Sequence, residues 1–370
     1  MHPFHPTATA TLLAILAAHV HPATQEDSQA AVLRPIHRVG ASTATKASLM
    51  IEIEQRSGTY LVNGEDGMEH DARRRLLIVQ RAQWEDEVLT ANAQRPSTFT
   101  RKFGEVIGGF GLEDIGKEPA MPEEVSPLGD RVVRFEWCEE EALFDREFQP
   151  RSTPTDEADE VLLEGLVAVI NFAKWLPGGG GAGEVKVGQR WKVKAAAAGG
   201  ALLPLGKVLF GSAESHRTVY GAYTGFTSPV PPPSPLLWWD APNFGAIDGE
   251  VDVHLKGVTK DGGEAIAELE VLIDVNSERD ATSWLEACGL GDYFHPADSL
   301  LTIATRLEGK GVLLWNVDRG YATDWTFDGD LEVDLNVQWI LGRSQPQFHC
   351  DAAQRWTGTV RSRVHATRSR

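Results

Sequence analysis

Cysteine is scarce: Cys138, Cys288 and Cys350 are the three thiols in 370 residues. An odd number leaves at least one thiol unpaired, and their wide separation fits no zinc-type cysteine motif. A disulfide framework is therefore excluded. One disulfide and a set of buried free thiols both fit the spacing. Positive charge is also in short supply, with 35 Lys and Arg against 53 Asp and Glu and a net charge of −18. Binding a nucleic-acid backbone needs clustered cations, so that class of partner is excluded. Besides Arg73, Arg74 and Arg75, the basic cluster is Arg361, Arg363, Arg368 and Arg370, which reads as a frayed basic tail over 365–370. No internal stretch is apolar for the ~20 residues that a membrane helix requires.

Catalytic signatures are missing too. There is no Gly-x-Ser-x-Gly, and Ser212 with His216 is a chance spacing rather than a hydrolase motif. The glycines of 178–183 are followed by no Lys-Ser/Thr, so they form no phosphate loop. Glu65, Asp66, Glu69, His70 and Asp71 offer oxygen ligands but not the spacing of a calcium loop, and read as a solvated acidic turn. His349, Cys350 and Asp351 are ligand types, but neighbours on a strand face opposite ways. His295 has no visible partner. No catalytic residue, metal ligand or cofactor is assigned, and the reading leans away from an enzyme.

What is present is period-two alternation. Leu49, Ile51 and Ile53 share one face, as do Val133, Phe135 and Trp137, and Leu76-Leu77-Ile78-Val79 is a short apolar run. A first antiparallel β region over 31–150 follows. A helix is expected over Asp156–Lys174, where Val161, Leu162, Leu166, Val169, Ile170 and Ala173 recur at helical spacing behind an acidic first turn. Pro177 and the glycines of 176–184 end it in a hinge. A second β region spans 185–364, interrupted by the proline-rich connector 228–235. Within it, Val251, Val253 and Leu255 pair with Leu269, Val271, Ile273 and Val275 through an Asp261-Gly262-Gly263 turn. Thr282–Ala287 reads as a short helix.

Residues 301–341 are the most legible. Apolar or small residues hold the odd positions from Leu301 to Val317 and again from Tyr321 to Leu341. A three-residue loop, Asp318-Arg319-Gly320, with Gly320 left-handed, pairs Val317 with Tyr321 and places Gly309 opposite Gly329. Facing glycines in long strands point to a bend. The expected fold is α+β and β-dominated: a long, strongly curved antiparallel sheet with one principal amphipathic helix packed on it.

At the N-terminus, the apolar run Ala8–Ala18 and the small residues Ser28-Gln29-Ala30 read as an export signal over 1–30, although no Lys or Arg precedes them. Export to the periplasm or beyond is the expectation, and a disordered leader on a cytoplasmic protein is the alternative.

Three pieces carry a resemblance: Leu128-Gly129-x-x-Val132-Val133-x-Phe135, Val185-x-Val187-Gly188-x-x-Trp191, and Glu308-Gly309-x-Gly311 with the Gly320 turn and Gly329. Their order resembles a group of exported, β-rich bacterial proteins of planctomycete type. Where that group usually has Asp after the glycine of the second piece, this chain has Gln189. The group brings no activity with it, so no functional residue is transferred. A looser likeness, at fold level, is to the periplasmic lipoprotein carriers, whose curved sheet holds acyl chains.

Tryptophan is abundant, at eleven. Trp238 and Trp239 follow the proline segment and are placed to stack on a sugar or anchor a peptide. Trp315, Trp325 and Trp339 fall on the apolar face, where they serve either as core or as the wall of a groove. The leading expectation is an exported, non-catalytic binding or envelope-associated protein that holds an apolar ligand or peptide on a concave sheet face, with lipid-like, peptide and sugar ligands all open. The alternatives are a hydrolase of envelope polymers with an unlocated site, and a structural partner in a complex.

Overall fold

Where apolar residues alternate with charged ones, the chain is strand. In the computed structural model, Leu49, Ile51 and Ile53 all point to the buried side of β2 (Ser42–Val62). Leu76 and Ile78 do so on β4 (Arg74–Ala91), and Val133 and Phe135 on β7 (Val132–Cys138). The structure describes residues 30–66, 74–93, 95–114, 124–150, 159, 162–163, 166–170, 172–178, 182–195, 248–280, 282, 300–341 and 348–369. The remaining strands of the first region are β1 (Ala30–Leu33), β3 (Glu65–Asp66), β5 (Pro96–Asp114), β6 (Glu124–Val125) and β8 (Leu143–Gln149). Those of the second are β9 (Gly183–Lys186), β10 (Arg190–Lys194), β11 (Asp248–Asp261), β12 (Glu264–Asp280), β13 (Leu300–Asn316), β14 (Tyr321–Leu341) and β15 (Phe348–Arg368).

The two regions form one sheet. β15 pairs antiparallel with β2, from Cys350 opposite Val62 to Arg368 opposite Thr43. The resulting 13-stranded sheet runs β10-β11-β12-β13-β14-β15-β2-β4-β5-β7-β8, with β3 on β2 and β6 on β5. β1 and β9 make a separate pair. Strands of 17 to 21 residues, such as β13 and β14, extend ~55–70 Å at ~3.3 Å per residue. The basic cluster read as a frayed tail is instead ordered β structure: Arg361, Arg363 and Arg368 belong to β15. Residue 370 lies outside the described residues.

Turn chemistry sets the register as the sequence suggests, with one correction. At Asp261–Glu264, Gly262 and Gly263 have φ of 56° and 88°, the pair of positive values that a two-residue hairpin turn needs. Val251 faces Ile273, and Leu255 faces Leu269. In the β13–β14 hairpin Gly309 is opposite Gly329, and Leu313 is opposite Trp325. Nearer the tip the register shifts: Trp315 pairs with Ala322 and Asn316 with Tyr321, where Val317 with Tyr321 was expected. Thr323 is the extra residue, and its hydroxyl donates to the Leu314 carbonyl at 3.3 Å. The turn is therefore 317–320, closed by Gly320 at φ 66°.

The facing glycines have a packing reason. A Cβ on Gly309 would lie 2.6 Å from the Phe327 ring, and so would one on Gly329. A Cβ on Gly311 would run into the Trp325 ring. Phe327 and Trp325 thus lie over three glycines, nearly parallel to each other (10°, 6.0 Å).

The helix expected over Asp156–Lys174 is not present as one continuous element: of its described residues, Asp159, Leu162 and Leu163 are helical. Leu166–Ile170 is irregular, and the segment ends in a 3-10 turn, Phe172–Trp175. The apolar side chains still bury themselves: Leu162, Leu163, Leu166, Phe172, Trp175 and Leu176 are all core. From Leu166 onward the segment is an irregular strap rather than a helix. Its carbonyls explain why: those of Val167 and Ala168 each accept a 2.8 Å hydrogen bond from the Arg101 guanidinium. Of the expected short helix at Thr282–Ala287 only Thr282, which is helical, is described; the rest of it, the connector 228–235 and most of the 176–184 glycines lie outside the described residues.

Candidate binding face

Period-two alternation gives the sheet one apolar and one charged face. On the charged face one guanidinium nitrogen of Arg363 donates to both carboxylate oxygens of Asp328 (2.8 and 3.0 Å), and Arg355 pairs with Glu332 at 2.7 Å. Lys310 bonds Glu270 at 2.5 Å, with Lys256 and His254 close by, and the Lys310 hydrogen bond above all holds the Glu270 carboxyl below its ordinary range, against the opposing effect of burial. Such exposed pairs add little stability singly, but they mark this face as the solvated one.

The apolar face carries the large side chains of both regions. Trp325 is 0% exposed, with Trp175 at 4.8 Å and Phe172 at 5.7 Å between ring centroids. Trp191 on β10 donates its indole N–H to the Trp175 carbonyl at 2.7 Å. At the other end of the strap, Arg131 holds Asp159 bidentately and keeps its carboxyl below the usual range, against the opposing effect of burial. The strap therefore crosses the apolar face from β5 to β14.

Arg101 is its central anchor. It occupies an inward position between Phe99 and Phe103, and its side chain is 5% exposed. Asp86 on β4 receives two hydrogen bonds from it, at 2.7 and 2.9 Å. The guanidinium also sits 4.8 Å from the Trp84 ring and 5.2 Å from that of Phe135. A buried cation with a paired carboxylate and two carbonyls is satisfied, so its role is to fasten the strap.

A second polar residue lies within the apolar face. Ladder partners Gly311, Phe327, Ser362, Leu49, Gln80 and Gly108 form one row across β13 to β5, and cross-strand partners share a face. Gln80 is 0% exposed, and neither its amide nitrogen nor its amide oxygen has a hydrogen-bond partner. Its neighbours in the next row, Ala47 and Ala82, are small. Both Arg101 and Gln80 escaped the motif-based sequence reading. The signal was there: each is a polar residue in the inward phase of an alternating strand.

The expected ligand-binding tryptophans are placed as follows. Trp325 packs under the strap, and Trp315 is core at 2% exposure, its indole N–H without an acceptor. Trp339 lies in β14 opposite Cys350. Trp238 and Trp239 are outside the described residues, as are Ser212, His216, Glu69, His70, Asp71 and His295. Glu65 and Asp66 form β3, and His349 is exposed at the start of β15. Among the described residues no three His, Cys, Asp or Glu side chains converge as a metal site. Cys138 is a free thiol. No described helix is long and apolar enough to cross a membrane. No family model matches the chain, and no curated protein matches it either.

Proposed function

We propose that this is an exported, envelope-associated binding protein without catalytic activity, whose curved sheet holds an apolar ligand on its concave, apolar side. The observation that carries the reading is the one-sidedness of a sheet this large. Aliphatic and aromatic side chains of both regions turn to one continuous face, while the exposed ion pairs occupy the other. The N-terminal apolar run and the resemblance to exported β-rich proteins support the location.

Trp315 and Trp325 stand at the strap end of this face. They wall off one end of the ligand's place, and the aliphatic rows beyond Gln80 supply the rest of its surface. Those rows include Ile51, Ile78, Leu331 and Val333. In this structure these side chains are already enclosed. Each buried methylene of a ligand chain then contributes about 0.8 kcal/mol.

Fluorescence of N-phenyl-1-naphthylamine tests this on the full chain. It should brighten in the protein and dim as a single-chain amphiphile displaces it. A probe that stays at its aqueous intensity at saturating protein contradicts the reading.

A further inference from the structure

The unpaired amide of Gln80 is hard to account for by folding alone. A buried carboxamide without partners costs stability, and a hydrophobic residue of similar size would avoid that cost. Its place is also distinctive. Ile78, Gln80 and Ala82 face inward along β4, so the side chain projects onto the apolar face. Gly108, Ala47 and Ala82 around it are small, while Leu49 faces it across the ladder. The nearest inward charge along these strands, Arg101, is already paired with Asp86 and two carbonyls.

We infer that Gln80 reads the polar group of the bound ligand, and that this ligand is a neutral single-chain lipid carrying a hydroxyl or amide. The inference rests on the binding role proposed above. The chemistry follows from what the amide lacks. It offers N–H donors and a carbonyl acceptor, so a group that both donates and accepts satisfies it, as a hydroxyl or an amide does. A carboxylate or phosphate would satisfy only the N–H side. It would also bring an ionised group into an apolar face whose guanidinium is already engaged. The small residues set the depth at which the chain's polar end sits, and the aliphatic rows of the same face take its hydrocarbon.

The test uses the full-length protein and Gln80→Met, with oleyl alcohol and 1-octadecene as competitors for N-phenyl-1-naphthylamine. Oleyl alcohol should bind the native chain five- to tenfold more tightly than Gln80→Met, with octadecene equal on both. That ratio matches one neutral hydrogen bond of about 1 kcal/mol. Without ligand, Gln80→Met should melt a few degrees higher, and Gln80→Leu should repeat both effects. Equal affinity of the alcohol for both proteins would overturn this inference and leave the binding role standing. So would an alcohol that fails to displace a bound probe from the native chain. A lower melting point in both variants would show that the fold itself uses the amide, again overturning the inference. If the probe does not bind the native chain at all, the binding role fails and this inference fails with it.

Discussion

Removing the carboxylate of Asp86 isolates the anchor of the strap. Asp86→Ala leaves Arg101, whose side chain is 5% exposed, with two backbone carbonyls and a set of ring faces but no counter-ion. Breaking a buried pair from one side costs about 3–5 kcal/mol. Asp86 itself is 23% exposed, and the carbonyls of Val167 and Ala168 retain part of the cation's solvation. The expected loss is therefore near the lower bound, about 3 kcal/mol. Arg101→Met removes the cation along with its cost. It strands the two carbonyls, at ~1–3 kcal/mol each, and returns Asp86 to water. The double variant Asp86→Ala with Arg101→Met should be little worse than Arg101→Met alone, because the isolated buried charge is gone. Urea unfolding followed by tryptophan fluorescence supplies the numbers, and limited proteolysis within 162–176 reports release of the strap. An Asp86→Ala protein within 1 kcal/mol of the native chain would refute the buried-pair reasoning.

Three further outcomes are expected. Gly311→Ala should displace the Trp325 ring, which lies where the new methyl must go, and should change the near-ultraviolet circular dichroism as well as lower stability. Gly263→Ala should cost about 1 kcal/mol in urea unfolding through its φ of 88° alone, since nothing lies within 4 Å of the added methyl. Asp159 titrates below its ordinary range in the folded chain, chiefly through the hydrogen bonds from Arg131. Its contribution is complete above the unfolded value of ~3.9 and is lost as pH falls through the lower folded value. Stability measured against pH should therefore fall on the acid side of about 4, and Asp159→Asn should flatten that slope.

Strand identity, facing and register were legible because period two is a local signal that survives assembly. The arms of the 301–341 hairpin align as their apolar phase demands, Gly309 on Gly329 and Leu313 on Trp325. The phase could not reveal Thr323, which bulges out where the tip tightens and moves Tyr321 from Val317 to Asn316. The strap is the instructive failure. Leu162, Leu166, Val169 and Ile170 have helical spacing, but Gly165 and the β-branched residues Val167, Val169 and Ile170 weaken the helix. Arg101, far off in sequence, then claims two of its carbonyls, and tertiary bonding overrides the period. The joining of the two β regions through β15 and β2 was illegible for a related reason: that pairing links residues some 300 positions apart. Of the candidate face, its apolar residues could be read from alternation. Arg101 and Gln80 were hidden, because a polar residue in the inward phase looks like a break in the pattern until its neighbours across the sheet are known.

Native mass spectrometry of the protein purified from the cell envelope, without delipidating detergent, tests the central claim most directly. A bound neutral single-chain lipid, retained in the native spectrum and released on denaturation, is the result expected. A bare polypeptide mass under conditions that preserve non-covalent complexes would contradict the account.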